Sequence, residues 1–127
     1  EFDMETETPV FDGDGPLSGQ VFDVIVVVNY LYRPHFKALV SALAPGGLFL
    51  YETFALGNEL YAKPRNPDHL LKSGELLELA SENLQIVAYE HGLVKNGDIP
   101  GVKQRLCAVK DLQLSQREDG EPPAHLI

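Results

Sequence analysis

Phe22-Asp23-Val24-Ile25-Val26-Val27-Val28-Asn29-Tyr30 opens the stretch that decides the fold, and Pro45-Gly46-Gly47-Leu48-Phe49-Leu50-Tyr51-Glu52 closes it. The first segment is a β-branched run ending in polar residues, and the second is an apolar run behind a glycine turn. Between them Pro34 is suited to the first turn of a helix, where its missing N–H costs nothing, and Phe36, Leu39, Val40 and Leu43 fall on one helical face. Pro45-Gly46-Gly47 is read as the end of that helix. Strand, helix, turn and strand in this order make a βαβ unit. Its two near-continuous apolar runs imply parallel strands, and parallel sheets bind ligands at the carboxyl ends of their strands. Asn29, Tyr30 and Glu52 lie at those ends.

Downstream, residues 74–82 are predicted as a second helix, with Ser73 placed to cap it, Glu75 in its first turn, and Leu76, Leu77 and Ala80 facing inward. Residues 84–89 and 102–109 are strand-like and are joined through Asn96-Gly97-Asp98-Ile99-Pro100-Gly101. With no helix between them they are expected to form an antiparallel hairpin. The order β-α-β-loop-α-β-β defines an α/β fold with a parallel pair, a terminal antiparallel hairpin and flanking helices. Upstream, residues 8–20 collect Pro9, Gly13, Gly15, Pro16 and Gly19, so any earlier strand is confined to about residues 1–4. Residues 111–127, with Glu121-Pro122-Pro123, read as a flexible acidic tail after a domain spanning residues 1–110.

The 127 residues carry a formal net charge of -9, but the acidity sits at the two ends. Residues 1–14 hold six acids and no base, residues 111–127 hold four acids and one base, and residues 15–110 balance nine against nine. No basic face is offered to a phosphate backbone, so nucleic acid is not an expected partner. No apolar run approaches the about 18 to 20 residues of a membrane span, and the first residues lack the order of a signal peptide. The one cysteine, Cys107, excludes an internal disulfide and a cysteine-based metal site, and in its strand setting it is expected to be a small buried core residue. A soluble, cytoplasmic protein is expected. His35, His69, His91 and His125 show no ligand-like spacing with acids, so no metal is expected.

The arrangement resembles the C-terminal half of a class I S-adenosylmethionine-dependent methyltransferase. Phe22-Asp23-Val24-Ile25 resembles the opening of that family's fourth strand, and Leu43-Ala44-Pro45-Gly46-Gly47-Leu48 the entry to its fifth. Leu71-Lys72-Ser73-Gly74-Glu75-Leu76 resembles the start of the next helix, and the hairpin its sixth and seventh strands. The tract from Glu52-Thr53-Phe54 to Asn66-Pro67 is similar to small bacterial methyltransferases related to tellurite-resistance proteins. The resemblance implies a partial Rossmann-like sheet, with the second hairpin strand beside the Leu48 strand. It also implies methyl transfer from S-adenosylmethionine to a small-molecule substrate. The family's Gly-rich loop and ribose-binding acid have no counterpart here, since Gly13-Asp14-Gly15 has no strand before it and no helix after it. The chain is therefore read as a fragment beginning near the end of the family's third strand, and it is expected to bind the cofactor weakly alone.

By the same resemblance Asp3 is the acid that accepts from the adenine amino group and Met4 a ring contact, unless Asp3 simply belongs to the acidic terminus. Asn29, Tyr30 and Leu31 match the segment facing the methionine moiety, although an Asn at a strand end also bonds nearby backbone. Methyl transfer asks the protein mainly to align acceptor, methyl carbon and sulfur in an apolar pocket, and aromatic faces such as Tyr30 and Tyr32 suit a sulfonium. A proton-bearing acceptor would use a base, for which the candidates are Tyr30, His35 and Glu52. His35, in the first helical turn, reads first as a solvated histidine, and Glu52 has Lys63 or Arg65 as alternative ion-pair partners. The long connection 53–72 is a candidate lid, with Tyr32, Arg33, Tyr61 and Arg65 as substrate contacts suited to a small anionic or aromatic acceptor. A non-catalytic interaction module remains the other reading, self-associating through the exposed edge of the Phe22 strand. A dehydrogenase fragment is disfavoured by the hairpin and the missing glycine fingerprint.

Overall fold

A computed structural model describes residues 21–96, 99–114 and 118–126. Strand β1 (Phe22–Val28) leads through a tight turn into helix α1 (Arg33–Ser41), and β2 (Leu43–Phe54) follows. A long loop with two short 3-10 turns, Asn58–Leu60 and Pro67–His69, reaches helix α2 (Glu75–Ser81). The hairpin of β3 (Gln85–Asn96) and β4 (Ile99–Val109) completes a four-stranded sheet in the order β1-β2-β4-β3. β1 and β2 are parallel, the other pairs antiparallel, and β4 lies beside β2 as expected.

Alternation along the strands sends one set of side chains into the core and leaves the other set on an open face. Ile25, Val27, Phe49, Tyr51, Leu106 and Ala108 are buried against Phe36, Leu39, Leu76 and Ala80 of the two helices. Val24, Val26, Val28 and Leu50, on the opposite face, are only half-buried. Leu77 is also half-buried rather than inward. Phe36 packs edge-on to Phe49 at 5.6 Å between ring centres, which fixes the tilt of α1 on the sheet.

Four local expectations are corrected. Pro45-Gly46-Gly47 does not end the helix, which stops at Ser41. It lies inside the first half of β2, where the register jumps from Phe22 opposite Leu43 to Val24 opposite Leu48. Gly46 takes φ +82°, and a Cβ on Gly47 would fall 2.7 Å from the Leu43 side chain, so the bulge needs both glycines. Ser73 does not cap α2. Gly74 occupies the cap in a left-handed conformation, and the Lys72 N–H donates to Glu75 Oε1 at 2.8 Å. Pro100 and Gly101 belong to β4 instead of the connection, because a proline paired near the tip of a hairpin interrupts little of the ladder. Cys107 is half-buried on the open face, not in the core, since its neighbours Leu106 and Ala108 take the inward positions.

Beyond β4 the chain turns back on the sheet. Asp111 is buried and bonded to the His125 ring, and Gln85 Nε2 donates to the Pro123 carbonyl at 2.9 Å. Among the described residues no helix is long and apolar enough to cross a membrane.

Candidate functional site

The turn after β1 is built by Asn29, whose φ of 57° puts a non-glycine residue in the left-handed region. Asparagine bears this conformation better than most residues, and its N–H still extends the ladder, donating to the Glu52 carbonyl at 2.8 Å. The turn drives Tyr30 and Leu31 inward, and both are buried. The Tyr51 hydroxyl donates to the Tyr30 carbonyl at 2.7 Å. Burial, reinforced by Tyr30, pushes the Tyr51 phenol up, so it remains a donor at any physiological pH. The Tyr30 hydroxyl shares a 2.8 Å hydrogen bond with His35 Nδ1, and the Tyr32 ring meets His35 edge-on at 4.5 Å. His35 is therefore not a solvated histidine. It is a buried member of the scaffold that holds the Asn29-Tyr30-Leu31 turn, because the first turn of α1 faces back toward that turn.

Two cavities open beside Asn29 and share Asn29 and Phe54 as their common wall. The first, about 250 Å³, is bounded by Tyr30, Leu31, Thr53, Pro64 and His69. It holds no permanent charge. The second, about 240 Å³, runs under the loop toward the hairpin and meets Asn58, Lys63, Val94 and Lys103. Lys103 Nζ donates to Asn29 Oδ1 at 3.0 Å, stands 4.8 Å from the centre of the Phe54 ring, and lies 3.9 Å from Glu52 Oε2. At the base of the loop the buried Asn58 side chain accepts from the Val102 N–H at 3.1 Å and donates to the Ala62 and Pro64 carbonyls. The candidate lid is thus a folded loop tied to β4 at its root.

The expected site residues separate into groups. Asn29, Tyr30 and Leu31 meet at the first cavity. Arg33 is bound into the scaffold: its Nε and Nη2 grip Glu75 at 2.5 and 2.9 Å, and its other bonds reach the Asp68 and Leu70 carbonyls. Paired with Arg33 and bonded by the Lys72 N–H, the Glu75 carboxyl is held below the usual carboxylate range. Glu52 pairs with neither Lys63 nor Arg65. It points to the open face, 3.6 Å from Arg105 Nη1, because the register of β2 and β4 sets those two residues opposite each other. Arg105 in turn binds Glu90 at 2.6 Å, which lowers that carboxyl. Tyr32, Tyr61 and Arg65 are exposed and border neither cavity. Asp3 and Met4 lie outside the described residues. Among the described residues no group of three His, Cys, Asp or Glu side chains could hold a metal ion.

Thr53, Phe54, His69 and Lys103 are the site residues that sequence reasoning did not single out. Phe54 and Thr53 carry a signal, since they continue the Leu48 strand past Glu52. Lys103 meets Asn29 across 74 positions of sequence, a contact fixed only by strand register.

The fold is that of Rossmann-like methyltransferases. TehB from Haemophilus influenzae is similar with a TM-score of 0.59 at 16% identity, over 74% of this chain and 37% of that one. The N-methyltransferase NodS from Bradyrhizobium japonicum matches with a TM-score of 0.54 at 20% identity, over 73% and 53%. A SAM-dependent methyltransferase from Methanosarcina mazei matches with a TM-score of 0.53 at 15% identity, over 72% and 60%. The matched region therefore spans between about a third and three fifths of these solved chains. No protein-family model matches the sequence. No curated protein matches it.

Proposed function

We propose that this chain supplies the methionine end of the cofactor site and the acceptor pocket of an S-adenosylmethionine-dependent methyltransferase acting on a small molecule, within a longer protein. The observation that carries the reading is the Asn29 turn at the end of a parallel strand, beside a cavity with aromatic and polar walls and no charged side chain among its lining residues. That lining fits a sulfonium: Tyr30 offers ring surface, and no charged side chain lines the cavity. When bound, the cofactor supplies an already activated methyl group. Asn29, Tyr30 and Leu31 would hold its methionine end, while Asp3 and Met4 would meet the adenine. The chain's own task is then alignment and exclusion of water, which the Asn58-rooted loop performs from above.

Titration calorimetry with S-adenosylmethionine tests this on two proteins, the 127-residue chain and a longer one carrying the sequence encoded upstream. The longer protein is expected to bind saturably and the short one weakly. No binding by the longer protein would remove the reading.

A second reading is favoured by the open sheet face. Val26, Val28, Leu50, Ala88 and Cys107 line a groove of about 350 Å³ flanked by Glu52 and Arg105. β1 also ends the sheet as an unpaired edge among the described residues. A non-catalytic module completed by a partner or by self-association would use this face and edge.

A further inference from the structure

The second cavity has an electrostatic character that the overall composition does not suggest. In a chain of net charge -9, the charged side chains that line it among the described residues are two cations, Lys63 and Lys103. Lys103 is not a waving surface lysine. Its side chain is 13% exposed, and its ammonium is fixed by Asn29 Oδ1 at 3.0 Å and lies over the Phe54 ring, 4.8 Å from its centre. Among the described residues the acid paired with it, Glu52, stands 3.9 Å away and is shared with Arg105 at 3.6 Å. Lys103 thus retains donor capacity and unspent charge toward the cavity. Asn29 holds a left-handed backbone while making this bond, and such strained positions gather at sites that bind.

We propose that this cavity is a subsite for the carboxylate of a small organic acid, with Lys103 as the fixed counter-charge, Lys63 as a second cation at the mouth and the Phe54 ring as the apolar wall. The inference rests on the methyltransferase reading for its role: an acceptor anchored here by its carboxylate would extend past Phe54 and Asn29 into the first cavity, bringing its far end to Thr53 and His69. The shared wall of the two cavities is what allows one molecule to occupy both. As a binding site the subsite stands without the cofactor, so the two claims can fail separately.

The probe is benzoate, a ring carboxylate small enough for a cavity of about 240 Å³. It is titrated into the 127-residue chain and followed by the NMR signals of the Lys103 side chain and the Phe54 ring. Saturable shifts at both are expected. Lys103→Met is expected to weaken binding about 10-fold or more, since a charge-assisted hydrogen bond is lost. Glu52→Gln is expected to strengthen it severalfold, because an internal competitor for Lys103 disappears. Lys37→Met, distant from the cavity, is expected to leave it unchanged. Benzoate that shifts neither Lys103 nor Phe54 in the unsubstituted chain overturns the proposal, whatever the variants do. So does binding that survives Lys103→Met in a protein with an unaltered circular dichroism spectrum. If benzoate fails while the longer protein binds S-adenosylmethionine, only the subsite is lost. If benzoate binds and the cofactor does not, the subsite stands and the methyltransferase reading falls.

Discussion

Asn29 concentrates three demands on one side chain: a left-handed backbone, a ladder N–H and an oxygen aimed at Lys103. A β-branched residue cannot take φ 57° cheaply, so Asn29→Val is expected to lose about 1 to 3 kcal/mol of stability. Asn29→Gly relieves the backbone and gives up only the exposed bond to Lys103, so it is expected to stay within about 1 kcal/mol of the natural protein. Urea unfolding of the two variants checks the order, and equal losses would mean that the side-chain bond, rather than the backbone, governs the turn. The position was legible as a strand end from five apolar residues running into Asn29. The burial of His35 was not, because the direction of a first-turn side chain depends on where Tyr30 comes to lie, and that is set by a turn geometry that spacing alone does not encode.

Arg33 and Glu75 join elements that sequence places far apart. Arg33 opens α1, Glu75 opens α2, and their paired bonds also draw in the carbonyls of Asp68 and Leu70 from the loop between. Glu75 is an ordinary N-terminal helix acid by sequence, and its second role as the arginine's partner came only with the fold. Its lowered carboxyl pKa means that the folded state favours the ionised form. The resulting stabilisation is fully present above the unfolded carboxylate value of about 4.3 and fades as pH falls through the lower folded value. Arg33 is about one third exposed, so solvent screening discounts the pair. Glu75→Gln is expected to cost about 1 to 2 kcal/mol at pH 7, with the gap closing below about pH 4. Thermal melts at both pH values check this, and a gap that persists in acid would assign the loss to packing. The parallel pair and the hairpin were readable as elements because their apolar runs are long. Their bounds were not, since Pro45-Gly46-Gly47 and Pro100-Gly101 carry turn composition inside strands whose neighbours supply the pairing.

Among the described residues, two helices cover one face of the sheet while the other face presents Val26, Val28 and Leu50 beside the β1 edge, which no described strand pairs. The 127-residue chain is therefore expected to self-associate, and Val26→Lys is expected to increase the monomer fraction by charging the open face. Sedimentation velocity distinguishes this from a stable monomer with a cooperative, high-temperature melt, which would mean that the face is adequately covered. The central claim, however, is that the Asn29-Tyr30-Leu31 turn holds the methionine end of S-adenosylmethionine. Hydrogen exchange on the longer protein, with and without that cofactor, measures it most directly. Slowed exchange at the amides of Tyr30 and Leu31, with none at the tip of the β3–β4 hairpin, is the predicted result. Cofactor binding that leaves those amides unchanged would contradict the account.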